Sequence, residues 1–118
     1  MLRGRARLVE LPSFSRAHSN VVGRRMRSRR EELGLSQEKM GVQIGIDESS
    51  SRARISRYEI GTYEPPVETA RLIAKALGAP LVYLYCDEED AATLLKGLAT
   101  QSASQRKALV PQWLQSLR

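Results

Sequence analysis

The sequence contains few of the residues from which metal sites and disulfides are built. Its 118 residues include one cysteine, Cys86, and one histidine, His18. A lone cysteine cannot close an internal disulfide, so nothing in the composition indicates an oxidising compartment. Two donors so far apart in sequence also fall short of the roughly three or four protein ligands of a zinc site. We therefore expect no metal and no cofactor.

Aromatic residues and long apolar runs are scarce as well. Aromatic side chains make up 5% of the chain, and no platform for stacking single-stranded bases is evident, which argues against RNA as a partner. No apolar run approaches the roughly 18–20 residues needed to span a bilayer. Residues 1–20 lack the apolar core of a secretory signal. We expect no membrane partner and a cytoplasmic location.

Catalytic motifs are missing too. The sequence has no Cys–His pair at a useful spacing, no serine in a nucleophile elbow and no glycine-rich phosphate loop. The carboxylates of Asp87–Asp90 are contiguous, so on a helix they would point in different directions rather than act as a pair. They suit the first turn of a helix, where the dipole favours negative charge. We expect that the protein is not an enzyme.

Positive charge is abundant and unevenly placed. The net charge is +6. Residues 1–30 hold nine arginines and one acid, residues 31–60 hold four bases and six acids, and residues 61–118 hold six of each. A basic surface of this kind fits a polyanionic partner, either nucleic acid or a membrane surface. We interpret residues 1–20 as a basic, disordered arm, and expect it and some of Arg24, Arg25, Arg27 and Arg29 to attract phosphates without reading sequence.

From Val21 onward the hydrophobic pattern is helical. An apolar stripe on the first helix carries Val22, Met26, Arg30 and Leu33 before Gly34. The second helix begins at Ser36, a good N-cap, with Leu35 and Met40 at the spacing of a hydrophobic staple, and it closes at Gly45. The third helix ends at Gly61, whereas its start lies at one of several candidate caps within Asp47–Ser51.

The remaining pattern is also helical. A fourth helix is predicted from the apolar stripe Val67, Ala70, Ile73, Ala74 and Leu77, and a short fifth over Leu81–Tyr85. Further helical segments are expected at Ala91–Leu98 and Arg106–Leu117, the latter interrupted by Pro111. With no strand pattern present, the expected fold class is all-α. The expected organisation is the arm at 1–20, a five-helix domain at 21–86 and a helical extension at 87–118.

The order of parts from Arg30 to Glu59 indicates a DNA-binding unit. Two helices joined by a short glycine-containing turn form a helix-turn-helix, whose second helix enters the major groove. Three arginines lie on or beside that second helix: Arg52, Arg54 and Arg57. Each can bind guanine or clamp a phosphate, and Arg54 and Arg57, one turn apart, share a side. Ser36, Ser50 and Thr62 are candidates either for capping and turns or for phosphate contact.

Two opposite charges fall on the apolar sides of separate helices. Arg30 lies on the stripe of the first helix, and Glu59 follows Ile55 by four residues on the third. Either charge alone would be costly to bury, but together they can neutralise each other as a salt bridge between the helices. The alternative is that both turn to solvent at the rim of the core.

These motifs resemble the Cro/phage-repressor (xenobiotic-response-element, XRE) type of helix-turn-helix protein. The resemblance covers residues 21–85 and rests on three segments in order: Arg30-Glu-Glu-Leu-Gly-Leu-Ser-Gln37, Ile55-Ser-Arg-Tyr-Glu-Ile-Gly61 and Ala70–Leu81. It implies five helices, binding to palindromic double-stranded DNA as a homodimer, and a role in transcription, commonly repression. A protein bound in this way would be associated with the nucleoid.

The resemblance also implies roles for individual residues. The family's interhelix ion pair corresponds to Arg30 and Glu59, and its phosphate-binding glutamine to Gln37. Its phosphate-binding loop corresponds to Gly61-Thr62-Tyr63-Glu64. Its recognition-helix contacts fall on Ser51, Arg52, Ala53 and Arg57.

This sequence departs from the family pattern before the recognition helix. Eight residues separate Ile46 from Ile55, where the family commonly has about four. The extra residues either add a turn to the front of the helix or lengthen the loop. Gly41 also stands where the family usually has alanine, and Glu64 where a backbone-contacting loop often carries lysine.

The C-terminal third carries more apolar residues than one small domain must bury: Leu94, Leu95, Leu98, Leu109, Trp113, Leu114 and Leu117. This surplus predicts self-association, with the alternative that the segment folds back onto the monomer's own core. A second hypothesis for the whole chain is a protein-interaction module, such as an antitoxin or adaptor, that uses the same fold to bind a protein partner. The apolar segment around Trp113 and the altered spacing before Ile55 favour it.

Overall fold

The computed structural model describes residues 20–118, and the predicted basic arm at 1–20 lies almost wholly outside them. Within the described residues there are seven α-helices and no strand, so the all-α prediction is confirmed. None of these helices is long and apolar enough to cross a membrane. The helices are α1 Val21–Glu32, α2 Gln37–Gln43, α3 Glu48–Ile60, α4 Val67–Ala76, α5 Leu81–Tyr85, α6 Glu89–Ala99 and α7 Ala103–Ser116.

The turns around α2 are set by a side-chain cap and a glycine. Ser36 is the N-cap, and its hydroxyl accepts a hydrogen bond of 3.0 Å from the Lys39 backbone N–H. At the far end the chain reverses through Gly45, whose φ of 95° is a conformation that other residues avoid. The turn between α2 and α3 is therefore short, as the sequence predicted.

The structure settles where α3 begins. Asp47 is the N-cap, and its carboxylate accepts a hydrogen bond of 3.3 Å from the Ser49 backbone N–H. The helix then runs from Glu48 to Ile60. Of the two alternatives left open by the sequence, the added residues extend the front of the helix by about one turn and do not lengthen the loop.

The added turn of α3 packs closely against α2 and is hydrogen-bonded to it. Ser51 is completely buried, and its hydroxyl donates a hydrogen bond of 2.6 Å to the Glu38 carbonyl. A Cβ atom placed on Gly41 would overlap the Ser51 hydroxyl and lie 2.9 Å from its Cβ. The glycine found where the family usually has alanine is thus the residue that the longer α3 requires.

The core lies beneath α2 and α3 and is closed by α1, α4 and α5. Its fully buried large side chains are Met26, Met40, Ile55, Ile73, Leu77 and Leu84. Leu33, predicted to lie on the buried stripe of α1, is instead 42% exposed. It is the C-cap residue of α1, just past the last helical turn.

Two of the four α1 arginines from which some phosphate contacts are expected, Arg25 and Arg29, make structural contacts, and Arg24 and Arg27 are the two that stay exposed. Arg25 is 4% exposed, donates a hydrogen bond of 2.9 Å to the Cys86 carbonyl and forms a 2.8 Å ion pair with Glu89. Arg29 donates a hydrogen bond of 2.9 Å to the Leu77 carbonyl. These contacts hold the segments around α5 and the start of α6 against α1.

The C-terminal helices are attached less firmly. On α6, Ala92 is buried, and Lys96 forms a 2.8 Å ion pair with Glu32 of α1. Hydrogen bonding from Lys96 lowers the pKa of the Glu32 carboxyl. By contrast, α7 has no buried residue at all, and it continues through Pro111, which the sequence had predicted would interrupt it.

The close approach of α2 and α3 can be tested with a single methyl group. Gly41→Ala should lower the free energy of unfolding by about 1–3 kcal/mol, because the new Cβ must push Ser51 and Ile55 of α3 away from α2. In a denaturant-unfolding series, Ser51→Ala in the same chain should restore part of that loss.

Gly97→Ala is the matched control, because a Cβ at Gly97 of α6 meets nothing within 4 Å. It should be neutral or stabilise the protein by up to about 1 kcal/mol through helix propensity. Equal effects of the two glycine substitutions would contradict the packing described here.

Candidate DNA interface

The centre of the candidate interface is a bidentate ion pair between α1 and α3. Arg30 Nε lies 2.7 Å from Glu59 Oε2, and Arg30 Nη2 lies 3.1 Å from Glu59 Oε1. The Glu59 side chain is 2% exposed and that of Arg30 is 11% exposed. The pair argued from the sequence is therefore formed at the edge of the core. Its hydrogen bonds raise the pKa of Arg30 above its usual value.

The same cluster fixes the start of α2. Arg30 Nη1 donates a hydrogen bond of 2.8 Å to the Leu35 carbonyl, which lies just before the helix. Gln37 Nε2 donates a hydrogen bond of 3.0 Å to Glu59 Oε1. An amide nitrogen carries two hydrogens, so the Gln37 amide can still donate one hydrogen bond to another acceptor. One buried carboxylate thus ties α1, α2 and α3 together and orients the glutamine.

The recognition-helix candidates fall on different sides of α3. Arg52, Ala53, Arg54 and Arg57 are all exposed. Arg52 shares one groove, of about 540 Å³, with Ser36 and Gln37 at the start of α2. Ser56, which the sequence pattern did not indicate, follows Arg52 by one turn and lines the same groove.

On the opposite flank, Arg54 and Arg57 lie together, as their spacing predicted. They line a second groove with Tyr63 and Glu64 of the segment after α3. Thr62 and Tyr63 are exposed, and the Thr62 backbone N–H donates a hydrogen bond of 2.9 Å to the Arg57 carbonyl. The exposed Tyr63 side chain and the two guanidinium groups lie on one groove and can donate hydrogen bonds to a common anionic partner.

The two serines at the front of α3 differ. Ser50 is exposed and remains a candidate for phosphate contact. Ser51 is 0% exposed and hydrogen-bonded to α2, so its side chain is not available to DNA. The assignment of Ser51 as a base contact is corrected, because the family register ignores the added turn that buries this position.

The tip of α3 is acidic, a feature that the family resemblance does not imply. Asp47 and Glu48 are both exposed. Hydrogen bonds from the Ser49 hydroxyl and backbone N–H lower the pKa of the Asp47 carboxyl. The positive charge of the interface therefore lies along the two flanks of α3 and not at its tip. In the part of the chain that the structure describes, no group of three or more His, Cys, Asp or Glu residues could hold a metal ion.

Comparison with known proteins agrees with this geometry. The model of the helix-turn-helix family matches residues 26–84. Uncharacterized HTH-type transcriptional regulators of Sinorhizobium medicae and of Rhizobium meliloti are each 34% identical to this chain over 84 residues, which is 70% of this chain. The match spans 58% of the length of these curated relatives.

A solved structure extends the likeness to the fold. The crystal structure of transcriptional regulator BswR superposes with a TM-score of 0.73 at 32% sequence identity, covering 79% of this chain and 92% of that one. The short glycine-containing turn that joins α2 to α3, together with α1 packed against α3, defines a helix-turn-helix protein. The chain belongs to the helix-turn-helix family of the Cro/phage-repressor (XRE) type, a family of regulators and not of enzymes.

The ion pair supports a direct test of what positions the interface. Glu59→Ala should lower the free energy of unfolding by about 3–5 kcal/mol, because it leaves Arg30 with no countercharge at the edge of the core. Denaturant titration followed by circular dichroism measures the loss.

Glu31→Ala removes a carboxylate from the exposed pair with Arg27, in which the side chains are 57% and 64% exposed. This control should cost less than about 1 kcal/mol. The double variant Arg30→Met/Glu59→Leu should lose less free energy of unfolding than Arg30→Met and Glu59→Leu lose in total. Losses that add strictly would contradict the coupling between the two residues.

Proposed function

We propose that the protein is a sequence-specific regulator of transcription that binds double-stranded DNA, and that it acts as a repressor. The observation that carries the proposal is the Arg30–Glu59–Gln37 cluster, which holds the start of α2 beside an α3 with exposed arginines on both flanks. In this arrangement α3 enters the major groove and the N-terminus of α2 meets the phosphate backbone. Repression is the role that the family resemblance favours.

The contacts divide by chemistry. An arginine can form two hydrogen bonds to the O6 and N7 atoms of guanine, worth about 1–3 kcal/mol of discrimination. Arg52, Ala53 and Arg57 are proposed to face base edges. Arg54, which lies beside Arg57, is proposed to contact either a base or a phosphate. Phosphate contacts that fix the register are proposed for Ser36, Gln37, Ser50, Thr62 and Tyr63. A cytoplasmic, nucleoid-associated location follows from this function.

Selection from random-sequence duplexes at two salt concentrations tests the proposal. A motif should emerge and persist at the higher salt. Arg52→Ala, Arg54→Ala and Arg57→Ala should then distinguish arginines that contact bases from those that contact phosphates. Loss of a base contact relaxes the sequence preference at one position of the motif and costs about 1–3 kcal/mol of binding free energy. Loss of a phosphate contact weakens binding to all sequences alike and reduces the salt dependence, as the slope of log K against log salt concentration, by about one.

Lys107→Ala is the control, because Lys107 is an exposed positive charge on α7 and not on α3. It should change neither the selected motif nor the salt dependence of binding. Binding that has no motif and vanishes with salt would contradict the proposal and leave only electrostatic attraction.

We further propose that the protein binds palindromic DNA as a homodimer. Apolar side chains of α6, of α7 and of the C-cap residue that follows α7 remain exposed in the single chain, with Leu94 53%, Leu114 57% and Leu117 80% exposed. Burying them between two copies would remove this surface from water. Two copies related by a two-fold axis place their α3 helices for half-sites roughly 34–36 Å apart.

Analytical ultracentrifugation at tens of micromolar should show a dimer. Leu114→Glu/Leu117→Glu should shift it toward monomer without loss of helix content, because both positions are exposed and charged groups resist burial. Gln112→Glu adds a charge to the same exposed helix and serves as the control. A strict monomer at that concentration would overturn the dimer.

A protein-interaction module is the second candidate, favoured by the same exposed face of α7. In that case the apolar side chains would dock on a protein partner, as in an antitoxin or adaptor. A monomeric chain without a DNA motif would support it over the regulator.

A further inference from the structure

A groove of about 440 Å³ lies between the helix-turn-helix body and the C-terminal helices. Ala74, Ala79 and Pro80 form one wall, and Leu95 and Leu98 of α6 form the other. Its volume falls within the range of small-molecule sites, which are lined mainly by apolar side chains with a few polar groups. The groove lies apart from the flanks of α3 that carry the proposed DNA contacts, because none of its lining residues belongs to α2 or α3.

The charges on the groove are of one sign. Lys75 of α4 and Arg106 of α7 both line it, and no aspartate or glutamate does. Within residues 20–118, Lys75 has no hydrogen-bond or ion-pair partner. Arg106 donates one hydrogen bond, from Nη1 to the Gln101 carbonyl, and its other donors are unassigned among these residues. Two cations without a countercharge therefore border an apolar surface.

We infer that this groove binds a small amphipathic organic anion, with an apolar body and a carboxylate or phosphate head. The apolar body would lie against Leu95 and Leu98, and the head would accept hydrogen bonds from Lys75 and Arg106. The second copy proposed above is a less suitable occupant, because the exposed leucines of α7 offer no negative charge to these cations.

Such a ligand would strengthen the attachment of α7 to the rest of the molecule. Since α7 has no buried residue, an anion bridging Lys75 of α4 and Arg106 of α7 would tie this helix to the body. The ligand site stands without the proposed function. Only the consequence that occupancy alters the placement of α7, and with it the pairing of two DNA-binding heads, rests on that function.

Sodium octanoate is the probe, compared with 1-octanol and octylamine of the same chain length. Octanoate should bind the full chain saturably in calorimetry and raise Tm by about 5 °C at ten times its Kd. It should also shift the emission of Trp113, which is the single tryptophan and lies on α7. The neutral and cationic compounds should bind at least about fivefold more weakly, because they lack the charge-assisted bonds.

Substitutions locate the site. Lys75→Ala should weaken octanoate binding about fivefold or more, and it breaks no contact within the described residues. Arg106→Ala should do the same, and Ala99→Trp should abolish binding by filling the groove. Lys107→Ala, which removes the neighbouring charge on α7 outside the groove, should leave the Kd unchanged.

Equal binding of all three compounds, or an unchanged Kd in Lys75→Ala, would overturn the inference. So would absence of octanoate binding in a chain that ultracentrifugation shows to be associated, because the groove would then be closed by a second copy. Octanoate binding in a protein that selects no DNA motif would uphold the ligand site and reject the proposed function, so the two failures are distinguishable.

Discussion

A single buried carboxylate organises this protein. The Glu59 carboxylate accepts hydrogen bonds from Arg30 Nε and Nη2 and from the Gln37 amide. Arg30 Nη1 also donates a hydrogen bond to the Leu35 carbonyl. Desolvating two charges is costly, so such a pair is retained only when its geometry satisfies both partners. Here the satisfied geometry relates three helices at once. The placement of α2 beside α3, and with it the position of the two arginine flanks proposed to bind DNA, depends on this pair.

A second constraint follows from the added turn of α3. An extra turn at the front of a helix must pack on something, and Ser51 does so by entering the space above Gly41. The consequence reaches the interface, because the position that the family uses next to the bases becomes a buried anchor. The added turn also places Asp47 and Glu48 at the tip, which leaves the arginines on the flanks as the attractive groups.

Much of this could be predicted from the sequence, because it depends on local chemistry or on periodicity. The Ser36 cap and the shared side of Arg54 and Arg57 are of this kind. The start of α3 could not be chosen, since four residues of equal capping chemistry compete there. The structural role of Arg25 was missed for another reason. Its partners lie more than sixty residues away and include backbone carbonyls, which no pattern of side chains reveals.

A nuclear magnetic resonance titration of the chain with its selected duplex tests whether the Glu59 cluster positions the DNA interface. Backbone amides at the start of α2, along α3 and in the segment 61–64 should shift together. The Arg30 and Gln37 side-chain N–H signals should remain those of hydrogen-bonded groups. Shifts confined to α6 and α7, with α3 unperturbed, would contradict this interface and place it elsewhere on the molecule.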